Sequence, residues 1–279
     1  MNKLLKIFLL LFVSILLIYL SYRSYQSAEE YLHTAQEIST LNNTHETVQK
    51  KIDKLLEELS LGIYSKYTQN REYLEAMGEK AAFYHHQSIV WLYYFFATVL
   101  IFILIFWGID FDMMVMFIGV SALIALGTAL FAPLLMMTVY SSIPMLGEVT
   151  LSYESKSIYS TIVKLFHQSN YLVGTLVLLF SVLIPFMKSI LITTYGFLKE
   201  TGFGGYMVAF IEKIGKWSMA DVFIVAVLVV FFSTQQDIHT SLKIETGLYF
   251  FVGYVLLSML GSTLLTRGQK EERKTPPTS

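Results

Sequence analysis

The sequence predicts an all-α fold: a polytopic membrane helix bundle of about six spanning helices with a small helical extracytoplasmic segment. Three observations carry that expectation. Apolar residues make up 54% of the chain. Only 15% of residues are charged, against roughly 25% in a soluble domain. The apolar residues also gather into blocks near the ~20 residues that cross about 30 Å of hydrocarbon, and mean hydropathy is +0.56.

The composition excludes several chemistries. There is no cysteine, which removes disulfides, thiolate zinc sites, thiol catalysis and cysteine-held clusters. Net charge is −1, so no field favours nucleic acid as a partner. No phosphate loop, nucleophile elbow or HExxH helix occurs. The chain is therefore expected to be no enzyme and to need neither metal nor cofactor. His85 and His86 are adjacent and diverge on a helix, while His167 and His239 lie in separate outer loops without ligand spacing.

The first block, Leu4–Leu20, follows Lys3 and Lys6 and precedes Ser21–Gln26, which offers no good small-x-small cleavage site. Residues 1–23 are thus expected to be an uncleaved signal anchor. Residues 24–88 are the one sizeable polar segment. Ala28, Tyr31, Ala35 and Ile38 form one apolar stripe, and Val48, Ile52, Leu55 and Leu59 a second with 4-3-4 spacing. Between them Asn43 and Glu46 make a capping box, and Gly62 ends the second helix. A helical hairpin or cap is expected, serving either as a spacer or as a docking module.

A second span is expected at 89–108, within the block Ile89–Trp107. Asp110 and Asp112 form a tight turn that caps the third helix. The third and fourth blocks, Met113–Tyr140 and Tyr171–Leu198, exceed the length of a span, so tilt or interfacial ends are expected. Trp217–Phe232 and Gly247–Leu265 complete the set, and 269–279 is expected to be a disordered cytoplasmic tail. With both termini inside, Lys3, Lys6, Lys199, Lys213, Lys216, Arg267, Lys270, Arg273 and Lys274 fall on the cytoplasmic side. The short outer loops then hold only Lys156, Lys164 and Lys243.

Charges inside spans are costly unless paired or hydrated, and they mark function. Lys188 lies in the fourth block, three residues after Pro185, whose missing N–H predicts a helix kink. Asp221 opens the fifth block, with Ser218 one turn away, and Ser258 lies in the sixth. The assumed topology puts Lys188 and Asp221 in the inner half at similar depth. An ion pair there would build a polar network able to relay a proton. The alternative keeps Lys188 snorkelling to headgroups and Asp221 capping a helix end.

Residues 112–268 resemble the paraquat-inducible protein A family of bacterial inner-membrane proteins. The likeness lies in Ser157–Leu165, in Ser181–Lys188 with its Pro-x-x-Lys, in Lys216–Phe223 and in Gly247–Met259, in the family's order. Lys216–Phe223 is the most specific segment. The resemblance implies a four-span module acting with a periplasmic MCE-type lipid-transfer protein that carries phospholipid between inner and outer membranes. It also implies that Lys188, Ser218, Asp221 and Ser258 form one polar network. Familiar members often carry two modules and Cys-rich zinc ribbons; one module and no cysteine suggest a homodimer here. The alternative function is a membrane sensor or adaptor with residues 24–88 as its periplasmic input.

Overall fold

The computed structural model describes residues 3–41, 52–54, 56–57, 59–60, 66–143, 147–198 and 240–274. Among the described residues five helices are long and apolar enough to cross a membrane, with a small sheet beside them. The block Trp217–Phe232 lies outside the described residues, as do Asn43, Glu46, Val48, Leu55, Gly62 and His239.

Two helices are far longer than a bilayer is thick. Helix α1 runs Lys3–Leu41, 39 residues, and α2 runs Lys66–Ile109, 44 residues. At 1.5 Å per residue each extends about 60 Å, twice the hydrocarbon thickness. Neither breaks at residue 23 or residue 88, where the polar segment begins and ends. The helices are antiparallel. Lys6 bridges Asp110, the Ser24 hydroxyl donates to the Ser88 carbonyl at 2.8 Å, and the Tyr73 hydroxyl donates to Glu37 at 2.9 Å.

Their seam is a heptad repeat. On α1 the buried positions include Val13, Leu17, Leu20, Ser24, Ser27, Tyr31 and Thr34, at alternating steps of four and three. On α2 they include Met77, Ala81, Ser88, Leu92, Phe95 and Val99. The seam passes through Thr34, whereas Ala35 and Ile38 of the expected stripe are only half-buried. Small hydroxyl residues occupy core positions because they let the two backbones approach closely. The second expected stripe does not face a core at its described members: Ile52 is 49% and Leu59 80% exposed. Asp53 is buried instead, 3.5 Å from the Lys66 ammonium.

Helix α3, Phe111–Phe131, is the centre of the bundle, with most of its residues buried. Asp110 caps it, accepting from the Asp112 and Met113 N–H groups. The bonded Lys6 ammonium and these donors hold the Asp110 carboxyl below its usual range. The expected continuation to Tyr140 does not occur. Ala132 turns to extended backbone (φ −64°, ψ 148°) because Pro133 disfavours helix in the residue before it. The chain then forms β1 (Leu135–Ile143) and β2 (Gly147–Lys156), which with β3 (Thr240–Ile244) give an antiparallel sheet in the order β2-β1-β3. Segments expected as outer loops are thus partly β structure.

After β2 comes the amphipathic α4, Ile158–His167, capped reciprocally by Ser157 and Ser160. The fourth span comprises α5 (Tyr171–Leu178), a π turn (Leu179–Leu183) and α6 (Ile184–Leu198). The Ile184 N–H reaches back to the Leu179 carbonyl, five residues away. This wider turn makes room for the Pro185 ring, which would clash with the carbonyl one regular turn earlier. Helix α7, Thr246–Lys274, returns alongside α3.

Candidate functional site: polar residues in the membrane bundle and a buried carboxylate at the sheet

The helix contacts fix the level of the membrane-embedded polar residues. A Cβ on Gly119 of α3 would lie 2.8 Å from the Thr193 backbone nitrogen, so α3 and α6 pack backbone to backbone. A Cβ on Gly261 of α7 would meet Ile192 at 3.1 Å and Ile118 at 3.3 Å. One turn nearer the sheet from this level lie Lys188 on α6 and Ser258 on α7. That is about the mid-height of α3.

Lys188 is 1% exposed, Ser258 1% and Ser189 0%. The Ser189 and Ser258 hydroxyls have no hydrogen-bond partner among the described residues. Lys188 is not without a partner. Ser218 and Asp221 lie outside the described residues, and so does the expected Lys188–Asp221 pair. The structure therefore brings Lys188 and Ser258 to one level on neighbouring helices, within an apolar bundle. A burial this deep differs from snorkelling, in which the ammonium reaches the headgroups.

A second polar site lies at the other end of the bundle, where the long helices meet the sheet. Glu245 joins β3 to α7 and is 0% exposed. Its N–H donates to the Leu134 carbonyl at 3.0 Å, and the next N–H but one, Gly247, donates to Pro133 at 2.8 Å. A Cβ at 247 would lie 2.6 Å from both the Ala132 and Pro133 oxygens, so only glycine permits this approach. The backbone thus drives Glu245 inward.

Neither Glu245 carboxylate oxygen has a hydrogen-bond partner among the described residues. The His85 Nε2 of α2 stands 3.8 Å away, beyond hydrogen-bond length. The Tyr31 ring packs edge-on against His85 with centroids 5.0 Å apart. Lys243 donates to the Tyr31 hydroxyl at 2.9 Å and also lies over that ring. Ser88 and Thr246 share a buried hydrogen bond at 3.1 Å, tying α2 to the start of α7.

Burial pushes the Glu245 carboxyl up to about 7, against the opposing pull of the Lys243 ammonium. Burial also holds His85 below its ordinary value, helped by Lys243 and then His86. Burial raises Tyr153 on β2 as well, with Tyr31 and Glu245 adding to it. Near neutral pH the site can therefore hold or release a proton on Glu245 while His85 stays neutral. The sequence reading missed Glu245 because it lies just outside an apolar block, where carboxylates usually cap helices. The available signal was the Gly247 that follows it.

Searches of curated proteins and of solved structures found no match. The sequence model of the paraquat-inducible protein A family matches residues 113–269, over half of the chain. That stretch takes in nearly all of α3, the sheet, α4 to α6 and most of α7, and leaves the whole of α1 and α2 outside it. This multi-pass membrane protein belongs to the paraquat-inducible protein A family.

Proposed function

We propose that the protein is the inner-membrane component of an MCE-type lipid transport system, loading phospholipid for transfer between inner and outer membranes or energising that transfer. The observation that carries this reading is Lys188. It falls within the family match and is 1% exposed at mid-bundle depth. An ammonium is kept there at a cost of several kcal/mol, which fits a working group better than a structural one. In this reading Lys188, Ser218, Asp221 and Ser258 relay a proton, both termini are cytoplasmic, and a periplasmic MCE-type protein receives or delivers the lipid. A homodimer would restore the paired modules of larger members.

The test is a barrier assay in the native host with Lys188→Ala and Asp221→Ala. Both are expected to compromise the envelope barrier at unchanged protein level, and a normal barrier in both would sink the relay. Co-purification of an MCE-type protein is the expected partner result.

One observation favours a second reading. The α1–α2 seam is a continuous heptad running from the apolar, membrane-crossing part of both helices into their polar ends. Such a seam suits a sensor or adaptor that passes a shift along its helices.

A further inference from the structure

Two depressions lie along one face of α1. The lower is an apolar groove of about 410 Å³ between α1 and α3, lined by Ile18, Tyr22, Tyr25, Ile124, Gly127 and Phe131 among others. Because Phe131 is the last residue of α3, the groove occupies the outer half of the span. The upper is a pocket of about 580 Å³ lined by Leu32 and Gln36 of α1, Tyr153–Lys156 of β2, and α4. Both volumes fall in the usual range of small-molecule sites.

The two are joined. Ile18, Tyr22, Tyr25, Leu32 and Gln36 share one heptad stripe on α1. The Phe131 ring at the top of the groove packs against Tyr159 of α4 at 5.5 Å, next to Ser160 of the pocket. The Leu134 N–H bonds the Lys156 carbonyl at 2.9 Å, which fixes the pocket directly above the end of α3.

Their chemistries differ in the way the two ends of an amphiphile differ. The groove is mainly apolar and open, between two helices long and apolar enough to cross a membrane. The pocket carries Lys156 and Lys164, both partly exposed and both salt-bridged to Glu154, at 3.1 and 3.4 Å. Two cations on one carboxylate leave a surplus positive charge. That charge stands about 10–16 Å above the groove, from the α1 rise between Tyr25 and Gln36.

We propose that this face binds one glycerophospholipid, with its phosphate between Lys156 and Lys164 and an acyl chain in the groove beneath. The site lies between α1, which the family match leaves out, and the family module, so the added helix completes it. This inference rests on the lipid-transport reading for its purpose, but its test does not.

The experiment uses the purified full-length protein in nanodiscs with a phosphatidylglycerol bearing a diazirine on one acyl chain. Light is expected to crosslink the probe to the 18–25 and 124–131 segments. Gly127→Trp fills the groove, and the space around a Cβ at 127 is open, so the fold tolerates it. Lys156→Glu with Lys164→Glu inverts the pocket. Each is expected to cut crosslinking at these segments about tenfold, whereas Leu104→Trp on the lipid-facing side of α2 leaves it unchanged.

Equal labelling of every lipid-facing helix, unaffected by these changes, would mean annular lipid only and overturn the site. Loss through the lysine pair but not through Gly127→Trp, with full competition by free glycerol phosphate, would mean a soluble phosphate ligand and also overturn it. A specific crosslink with a normal barrier in the Lys188 variants keeps the site and removes the transport reading. A barrier defect without the crosslink does the reverse.

Discussion

Glu245 holds its proton because the close contact at Gly247 carries a carboxyl group into a place where no described donor meets it. The groups that face it are Tyr31 from α1, His85 from α2, Tyr153 from β2 and Lys243 from its own strand. Its folded value of about 7 lies above the ordinary 4.5. Its contribution to stability is therefore complete below pH 4.5 and is lost as pH rises towards and through 7. The loss is on the order of 3 kcal/mol. Glu245→Gln is expected to flatten that dependence and to melt higher than the parent above pH 7, measured by thermal unfolding in detergent from pH 4 to 8. Parallel pH curves for the two proteins would remove Glu245 as the titrating group. Lys188 was legible in the sequence because a cation stands out in an apolar block. Glu245 was not, since its burial comes from a β3–α7 junction that no periodicity announces.

At the scale of elements, close approach explains more than hydrophobicity does. The sequence pattern found the helices because a ~20-residue apolar block has few other options in a bilayer. It extended α3 to Tyr140 because apolar count outweighed Pro133, although the local backbone restriction decides where a helix stops. It placed the stalk stripe on Ala35 and Ile38 because hydroxyl residues were not counted as core, yet Ser24, Ser27 and Thr34 are buried in the seam. The same tight packing predicts a cost for enlarging Gly247. Gly247→Ala would press a methyl group on two backbone oxygens that cannot swing away, as a flexible side-chain end could. A loss of about 1–3 kcal/mol is expected, read as a lower melting temperature. An unchanged melting temperature would show that the β3–α7 junction shifts freely.

For the whole molecule, the central question is what α1 and α2 add to the part of the chain that the family model matches. They carry the bundle well beyond the bilayer and bring Tyr31 and His85 to the Glu245 site, and α1 forms one wall of the groove beside α3. The geometry offers a clean way to separate the two functional readings. Ser24 and Ser88 touch across the seam, so residues 26 and 87 lie near one another and a short loop can replace 27–86 while both spans are kept. If the stalk is a spacer, the shortened protein is expected to retain part of the barrier function. If the stalk is a sensory input, all stimulus dependence should vanish. In either case Tyr31 and His85 are gone, so Glu245 becomes hydrated and the pH dependence of stability should fall with it. The absence of cysteine lets the same protein report its orientation. Thr68→Cys is expected to react with an impermeant maleimide added outside intact inner membranes, and Gln269→Cys only after lysis. Labelling of Gln269→Cys without lysis would invert the topology, put the stalk in the cytoplasm and end the case for a periplasmic partner.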